Sequence, residues 1–271
     1  MSHAPTSALV DSAAVPLRLP RTAIFTDTAV MTRRNLVRLT RTPQLLFFAT
    51  VQPVMFVLLF TYVFGGAIAV PGGRYIDYLI PGIFVQAVAF GGVNTAVGLS
   101  TDLGSGIIDR FRSLPMARAA VLAGRTIADG VRNLFVVLLM VVVGSLVGFR
   151  FHNGFVPAVA AVLLAVLFGF SLAWLFAFIG MTLKEPETAQ VAGLVIIFPL
   201  TFVSGAFTPI ALMPEWLRVI ARNQPFTHMV NSLRALTQGG PVAHSVLMSL
   251  LWMAGIMVVF ATLAVRRYRR G

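Results

Sequence analysis

FVPAVAAVLLAVLFGFSLAWLFAFIGMTL, residues 155–183, runs for 29 residues without one ionisable side chain. About 20 apolar residues suffice for a helix to cross bilayer hydrocarbon, so this stretch, opened by Pro157, reads as a transmembrane helix. Five further segments share its character: Leu45–Phe64, Tyr78–Ser100, Val131–Phe149, Ala189–Phe207 and Val246–Val265. The Gln52-Pro53 step is expected to kink the first, and Pro199 to break the Ala189–Phe207 segment. Tyr78–Ser100 is unusually rich in small and polar groups, among them Gly82, Gln86, Gly91, Asn94, Thr95 and Gly98. Val131–Phe149 ends in Gly144-x-x-x-Gly148, a spacing that lets helices approach within one bundle or between protomers; packing within one bundle is the commoner use.

Composition agrees with lipid as the solvent. Hydrophobic residues make up 58% of the 271, charged residues 11%, and 22 Phe stand against a single lysine, Lys184, too little polar surface for a water-soluble domain. The formal net charge of +12 raises the question of nucleic acid, but the arginines flank apolar runs. That placement sets membrane topology and attracts anionic lipid, and no nucleic-acid partner is expected. Cysteine is absent, which excludes disulfides, a thiol nucleophile and Cys-ligated metal.

Loop charge gives orientation. Arg18, Arg21, Arg33, Arg34, Arg38 and Arg41 precede the first segment; Arg110, Arg112, Arg118 and Arg125 follow the second; Lys184 follows the fourth; Arg266, Arg267, Arg269 and Arg270 end the chain. The opposite loops hold Arg74, Arg150, Arg218, Arg222 and Arg234. The asymmetry and the even helix number both place the termini in the cytoplasm. No apolar core with a small-residue cleavage site occurs in the first 44 residues, so no removable signal peptide is expected. Residues 101–126 form a long cytoplasmic connection and residues 208–243 a long external one.

Missing motifs narrow the energy source. Lys184 stands between Leu183 and Glu185, so no P-loop exists and the chain has no ATPase site of its own. Asp77, Asp102, Asp129, Glu185 and Glu187 fall at segment ends or in loops, leaving the segment centres without the ionisable groups of an ion-coupled carrier. His3, His152, His228 and His244 are scattered, with no metal motif, and neither Gly-x-Ser-x-Gly nor an intramembrane carboxylate pair occurs. No catalytic, metal or cofactor-binding residue is assigned, and the energy is expected from a partner protein.

Between Arg21 and Thr42, Ile24, Thr28, Met31 and Asn35 share one helical stripe and Arg34, Arg38 and Arg41 another, as in an interfacial amphipathic helix or a solvated basic tail. In residues 101–118, Ile107, Ile108, Phe111 and Leu114 form one apolar face ending at Pro115, suited to docking in a soluble partner or lying on headgroups. Outside, Pro199 and Gly205 interrupt the helix, and after Pro214 the residues Trp216, Leu217, Ile220 and Ala221 share a face. This suggests a half-buried helix dipping into the outer interface with Trp216 at headgroup depth. Gln86, Asn94 and Thr95, like Thr201 and Ser204, suit either a substrate path or interhelical hydrogen bonds, and the sequence leaves both open. Met and Phe are frequent throughout, which suits an adaptable apolar surface as well as ordinary lipid-facing helices.

The order of elements over residues 30–265 resembles the permease subunit of ABC type 2 exporters, especially the daunorubicin-resistance-like branch. Thr61–Gly66, Tyr78–Gly82, Asp109–Pro115 and Ser204–Trp216 carry the likeness; Asn223-Gln224-Pro225 departs from the direct Asn-Pro of many relatives. The resemblance implies a coupling helix that contacts a separate ABC ATP-binding subunit, through Asp102, Gly106, Asp109, Arg110, Phe111, Arg112, Ser113, Leu114 and Pro115. It implies an amphiphilic cargo and a second permease copy or similar permease, with ATP and Mg on the partner and membrane lipids around the bundle. The candidate path comprises Gln52, Phe56, Gln86, Asn94, Thr201, Phe202 and Ser204, and the external re-entrant hairpin Gly205, Pro209, Pro214, Trp216 and Pro225.

The expected fold is all-α and polytopic in the plasma membrane: a disordered tail over 1–20, an interfacial helix over 21–44, six transmembrane helices over 45–265 and a basic cytoplasmic tail over 266–271. The expected function is an ATP-driven export permease; an ion-coupled secondary transporter and a non-transporting scaffold are the alternatives.

Overall fold

A computed structural model describes residues 23–41, 43–68, 70, 73–106, 118–183 and 185–270. Nine α-helices and no strand occur among the described residues. They are α1 Ala23–Arg41, α2 Pro43–Leu59 with a π-turn at Phe60–Phe64, α3 Tyr75–Gly104, α4 Arg118–Val147, α5 Phe155–Thr182, α6 Pro186–Phe202, α7 Glu215–Asn223, α8 Pro225–Gln238 and α9 Ala243–Arg270. The expectations for residues 1–20 and for Asp109, Arg110, Phe111, Arg112, Ser113, Leu114 and Pro115 fall outside the described residues.

Four helices are long and apolar enough to cross a bilayer, α3, α4, α5 and α9, while α2 and α6 are shorter apolar helices. The protein is therefore a multi-pass membrane protein. α3 is the central post, with 22 of its 30 residues buried under α2, α4, α5, α6 and α8. Its small residues are the reason it can be surrounded: a Cβ on Gly82 would lie 2.7 Å from the Ala206 carbonyl, and one on Gly92 would strike the Phe176 ring. The same closeness recurs from the other side, where Gly180 of α5 lies against the backbone of Ala96. Gly144 packs on Ile80 within the chain, whereas Gly148, at φ +113°, ends α4.

Several boundaries differ from expectation. α4 starts at Arg118, so much of the supposed loop 101–126 is helix. α6 continues three residues past Pro199, because a proline ring obstructs only the turn before it. The basic residues set apart as a C-terminal tail, Arg266 to Arg270, continue α9. The supposed external loop 208–243 contains α7 and α8. α8 opens with Pro225 at its first position and is inserted into the bundle, with Phe226, Met229, Val230 and Leu233 all at most 1% exposed.

The buried apolar residues fall into two clusters. In one, Met31 of α1 and Tyr268 of α9 pack with Leu99, Leu122, Trp174 and Met181, so both described chain ends meet there. The main core lies beyond it and extends to Phe149, Phe207 and Phe226. α1 lies along α4, where Gly124 admits Met31 and the backbone of Thr28.

Candidate functional site

Gly91, Thr95, Gly98 and Asp102 fall at i, i+4, i+7 and i+11 of α3, one stripe of a helix. Opposite them stand Arg125, Asp129 and Arg132 of α4, at i, i+4 and i+7. The two glycines leave room for the arginines, since a Cβ on Gly98 would collide with the Arg125 guanidinium and one on Gly91 with Asn133 and Arg132.

The stripes are joined by charge. Asp102 accepts from Arg125 at 2.7 Å and from Arg38 of α1 at 3.0 Å. Asp129 accepts from the Thr95 hydroxyl at 2.6 Å and pairs with Arg132 at 3.3 Å, and Arg132 donates onward to the Gly91 carbonyl at 2.6 Å. Buried ions are stable only when paired and hydrogen-bonded, and both carboxylates meet that condition. Asp129, expected at a segment end or in a loop, lies instead in the body of α4 and is 6% exposed. Asp102 is likewise turned inward, in the last turn of α3, rather than outward from a connection; Gly106, at φ +69°, forms the turn beyond it.

Arg132 and Asn94 belong to the walls of two adjoining cavities. The smaller, ≈ 270 Å³, is bounded by Asn35, Arg38, Arg125 and Asp129. The larger, ≈ 410 Å³, lies between α2, α3, α4 and α6 and is lined by Gln52, Gln86, Asn94, Asn133 and Gln190, with Phe90, Leu194 and Phe198 supplying apolar walls. Gln86 is 2% exposed, and neither its amide nitrogen nor its oxygen has a protein partner. An unpartnered buried amide costs about 1–3 kcal/mol, which is tolerable where it borders a cavity that can hold a hydrogen-bonding group. Of the candidate path residues, Gln52, Gln86 and Asn94 meet here.

The others lie farther along. From the cavity wall, rings follow one another: Phe90 to Phe198 (5.5 Å between centroids), Phe198 to Phe202 (6.0 Å), Phe202 to Phe207 (5.0 Å), and Phe207 to Phe60 and Phe56 (4.5 and 6.0 Å). Phe56 and Phe202 belong to this aromatic chain. Ser204 serves the turn after α6, donating to the Thr201 carbonyl at 2.6 Å and accepting from the Ala206 amide. The Thr201 hydroxyl is buried without a partner.

That turn is clamped to α3. Tyr75 and Tyr78 donate to the carbonyls of Phe207 and Gly205 at 2.9 and 2.8 Å. Arg234 of α8 donates to the carbonyls of Tyr78, Gly205 and Ala206 at 3.0, 2.8 and 3.1 Å, with its guanidinium 3.4 Å from the Tyr78 ring centroid. Arg234, expected among external loop charges, is therefore a structural cation at the bundle's far end. Gly205 takes φ +72°, Pro209 opens a single 3-10 turn at Ile210–Leu212, Pro214 precedes α7, and Trp216 is 68% exposed. The residues that sequence reasoning missed are Arg125, Asp129, Arg132, Asn133 and Arg234; the matched spacing 91/95/98/102 against 125/129/132 was the available signal.

The profile of the ABC-2 type transporter family matches residues 26–238. A daunorubicin resistance ABC transporter permease protein of Streptomyces coeruleorubidus is 38% identical over 218 residues, 80% of this chain and 77% of that protein. A probable doxorubicin resistance ABC transporter permease protein of Mycobacterium tuberculosis is 28% identical over 262 residues, 94% of each chain. An inner membrane transport permease of Escherichia coli is 26% identical over 191 residues, 68% of this chain and 73% of that one. With a helical bundle packed around α3 and carrying a polar cavity, and a family match running from α1 to the end of α8, the chain belongs to the ABC-2 type transporter family, as a permease subunit.

Proposed function

We propose that this permease exports an amphiphilic compound, a drug, antibiotic or lipid, from the cytoplasm or inner leaflet. The cavity of ≈ 410 Å³ that continues into an aromatic chain carries the reading. Carboxamides meet the polar part of such a compound, and Phe90 and Phe198 its flat or apolar part. The resistance named in two relatives, to daunorubicin and to doxorubicin, supports a drug as cargo. Gln52, Phe56, Gln86, Asn94 and Phe202 border the path, and Thr201 and Ser204 shape the turn at its far end.

Six crossings follow if α2 and α6 span with the four long helices. Pro43–Phe64 reaches about 30 Å at helical rise, and α6 is completed by the turn after it. Arginine placement puts both termini in the cytoplasm, α1 at the inner headgroups and α7 at the outer ones, with Trp216 as its anchor. Asn94 and Gln190 are exposed on the cavity rim; because polar groups facing lipid are costly, a second copy or a similar permease covers them.

Energy comes from an ABC ATP-binding subunit that carries ATP and Mg and meets the connection through Asp109–Pro115. The test is ATP-dependent daunorubicin uptake into inside-out vesicles holding the chain with that subunit. Arg110→Glu, Arg112→Glu or Phe111→Ala should each lower uptake on the order of tenfold, as for a contact hot spot, with membrane insertion intact. Unchanged uptake in all three excludes the coupling assignment.

A further inference from the structure

We propose that Thr95 and Asp129 are positioning residues that link the ATPase-facing end of α3 to the wall of the cavity. This rests on the reading of the α3–α4 connection as the subunit contact.

The geometry is a ladder of alternating rungs. Its lowest rung, Asp102, is in the last turn of α3 and is held from both sides, by Arg38 of α1 and Arg125 of α4. About two turns higher, Thr95 donates to Asp129 at 2.6 Å; a turn above that, Arg132 reaches the Gly91 carbonyl at 2.6 Å. Arg132 and Gly91 line the larger cavity, Arg125 and Asp129 the smaller one. Every rung joins α3 to α4, and the lowest also takes in α1.

Hydrogen bonds to ions have narrow distance limits, so α3 cannot slide along α4 without changing each rung together. A displacement entering at Gly104 therefore reaches Arg132 and resets the polar wall of the cavity. Apolar packing alone would let the two helices slip by a fraction of a turn with little effect on the cavity. Asp129 is the rung that does the linking, since its two oxygens serve α3 through Thr95 and the cavity residue Arg132 separately. Thr95 is the cleanest place to interrupt it, because valine keeps the shape and removes only the hydroxyl, with its bond to Asp129 at 2.6 Å and its longer one to the Gly91 carbonyl at 3.4 Å.

The experiment uses the permease with its ATP-binding subunit in vesicles and daunorubicin as the probe. It records assembled complex, basal ATP hydrolysis, and drug moved per ATP. Thr95→Val is expected to assemble, to hydrolyse ATP within about twofold of the parent, and to move about tenfold less drug per ATP, a typical coupling loss. Thr95→Ser, which keeps the hydroxyl, restores the ratio. A merely structural role would lower yield, hydrolysis and transport in parallel and leave drug per ATP unchanged; that result overturns the proposal. If Thr95→Val assembles poorly, Asp129→Asn is read the same way, with the same two outcomes. A parent complex that neither hydrolyses ATP nor moves daunorubicin refutes the exporter reading, and the proposal falls with it.

Discussion

Arg234→Met should leave a permease that unfolds in detergent at a clearly lower temperature and moves no drug. Three carbonyl oxygens, of Tyr78, Gly205 and Ala206, accept hydrogen bonds from this one guanidinium, and the Gly205 carbonyl also accepts from the Tyr78 hydroxyl. Methionine fills much of the space but donates nothing, so the turn after α6 loses its charged cap while remaining buried. Hydrogen bonds to a charged group contribute about 1.5–3 kcal/mol each, and removing several from a buried site costs on the order of 3–5 kcal/mol. Arg234→Lys should recover only part, because a single ammonium cannot reproduce the planar fork. Tyr78→Phe keeps the ring beneath the cation and loses only the bond to Gly205, a cost of about 1 kcal/mol. Thermal unfolding of the four proteins tests the order: parent, Tyr78→Phe, Arg234→Lys, Arg234→Met. An Arg234→Met protein as stable as Tyr78→Phe would show that the clamp is dispensable.

At the other end of the bundle, Asp102→Ala removes the shared acceptor of two arginines. The two losses are unequal. Arg38 has a side chain 50% exposed and can turn to water, so its pair contributes little. Arg125 has a side chain only 14% exposed and loses its hydrogen-bonded partner, keeping Asp129 as the remaining carboxylate that acts on it. Stranding a buried charge costs about 3–5 kcal/mol, whereas replacing a buried pair by apolar residues is often close to neutral. Asp102→Ala combined with Arg125→Met should therefore be more stable than Asp102→Ala alone, a sign reversal that only direct coupling produces. Equal melting temperatures for the single and double variants would exclude it.

The transmembrane character was legible because long charge-free runs have few other solutions; Phe155–Thr182 appears almost as drawn. Less was legible where a helix outlasts its apolar run. Arg118 and Arg125 looked like loop charges because a hydropathy reading stops at the first arginine, yet α4 continues through both positions, and the charge of Arg125 is balanced across the interface by Asp102 of α3. The insertion of α8 was hidden for a related reason. Pro225–Gln238 is too short and too polar to suggest a buried helix, and its polar residues are satisfied internally: Thr227 on the Ser204 carbonyl, Ser232 on Ser249, Arg234 on the clamp. In the site, Gln86 and Asn94 stood out as amides in an apolar run. Asp129 did not, because its meaning depends on Thr95, 34 positions away.

The missing side chain at Gly98 ties two positions into one variable. Any carbon added there enters the volume held by the Arg125 guanidinium, the far end of a flexible side chain that must then swing aside. A lineage that gains bulk at 98 must move or shorten the side chain at 125, and either change loosens its pair with Asp102. Substitutions at 98, 102 and 125 should therefore arrive as a set among distant relatives, with intermediates rare because each single step is penalised.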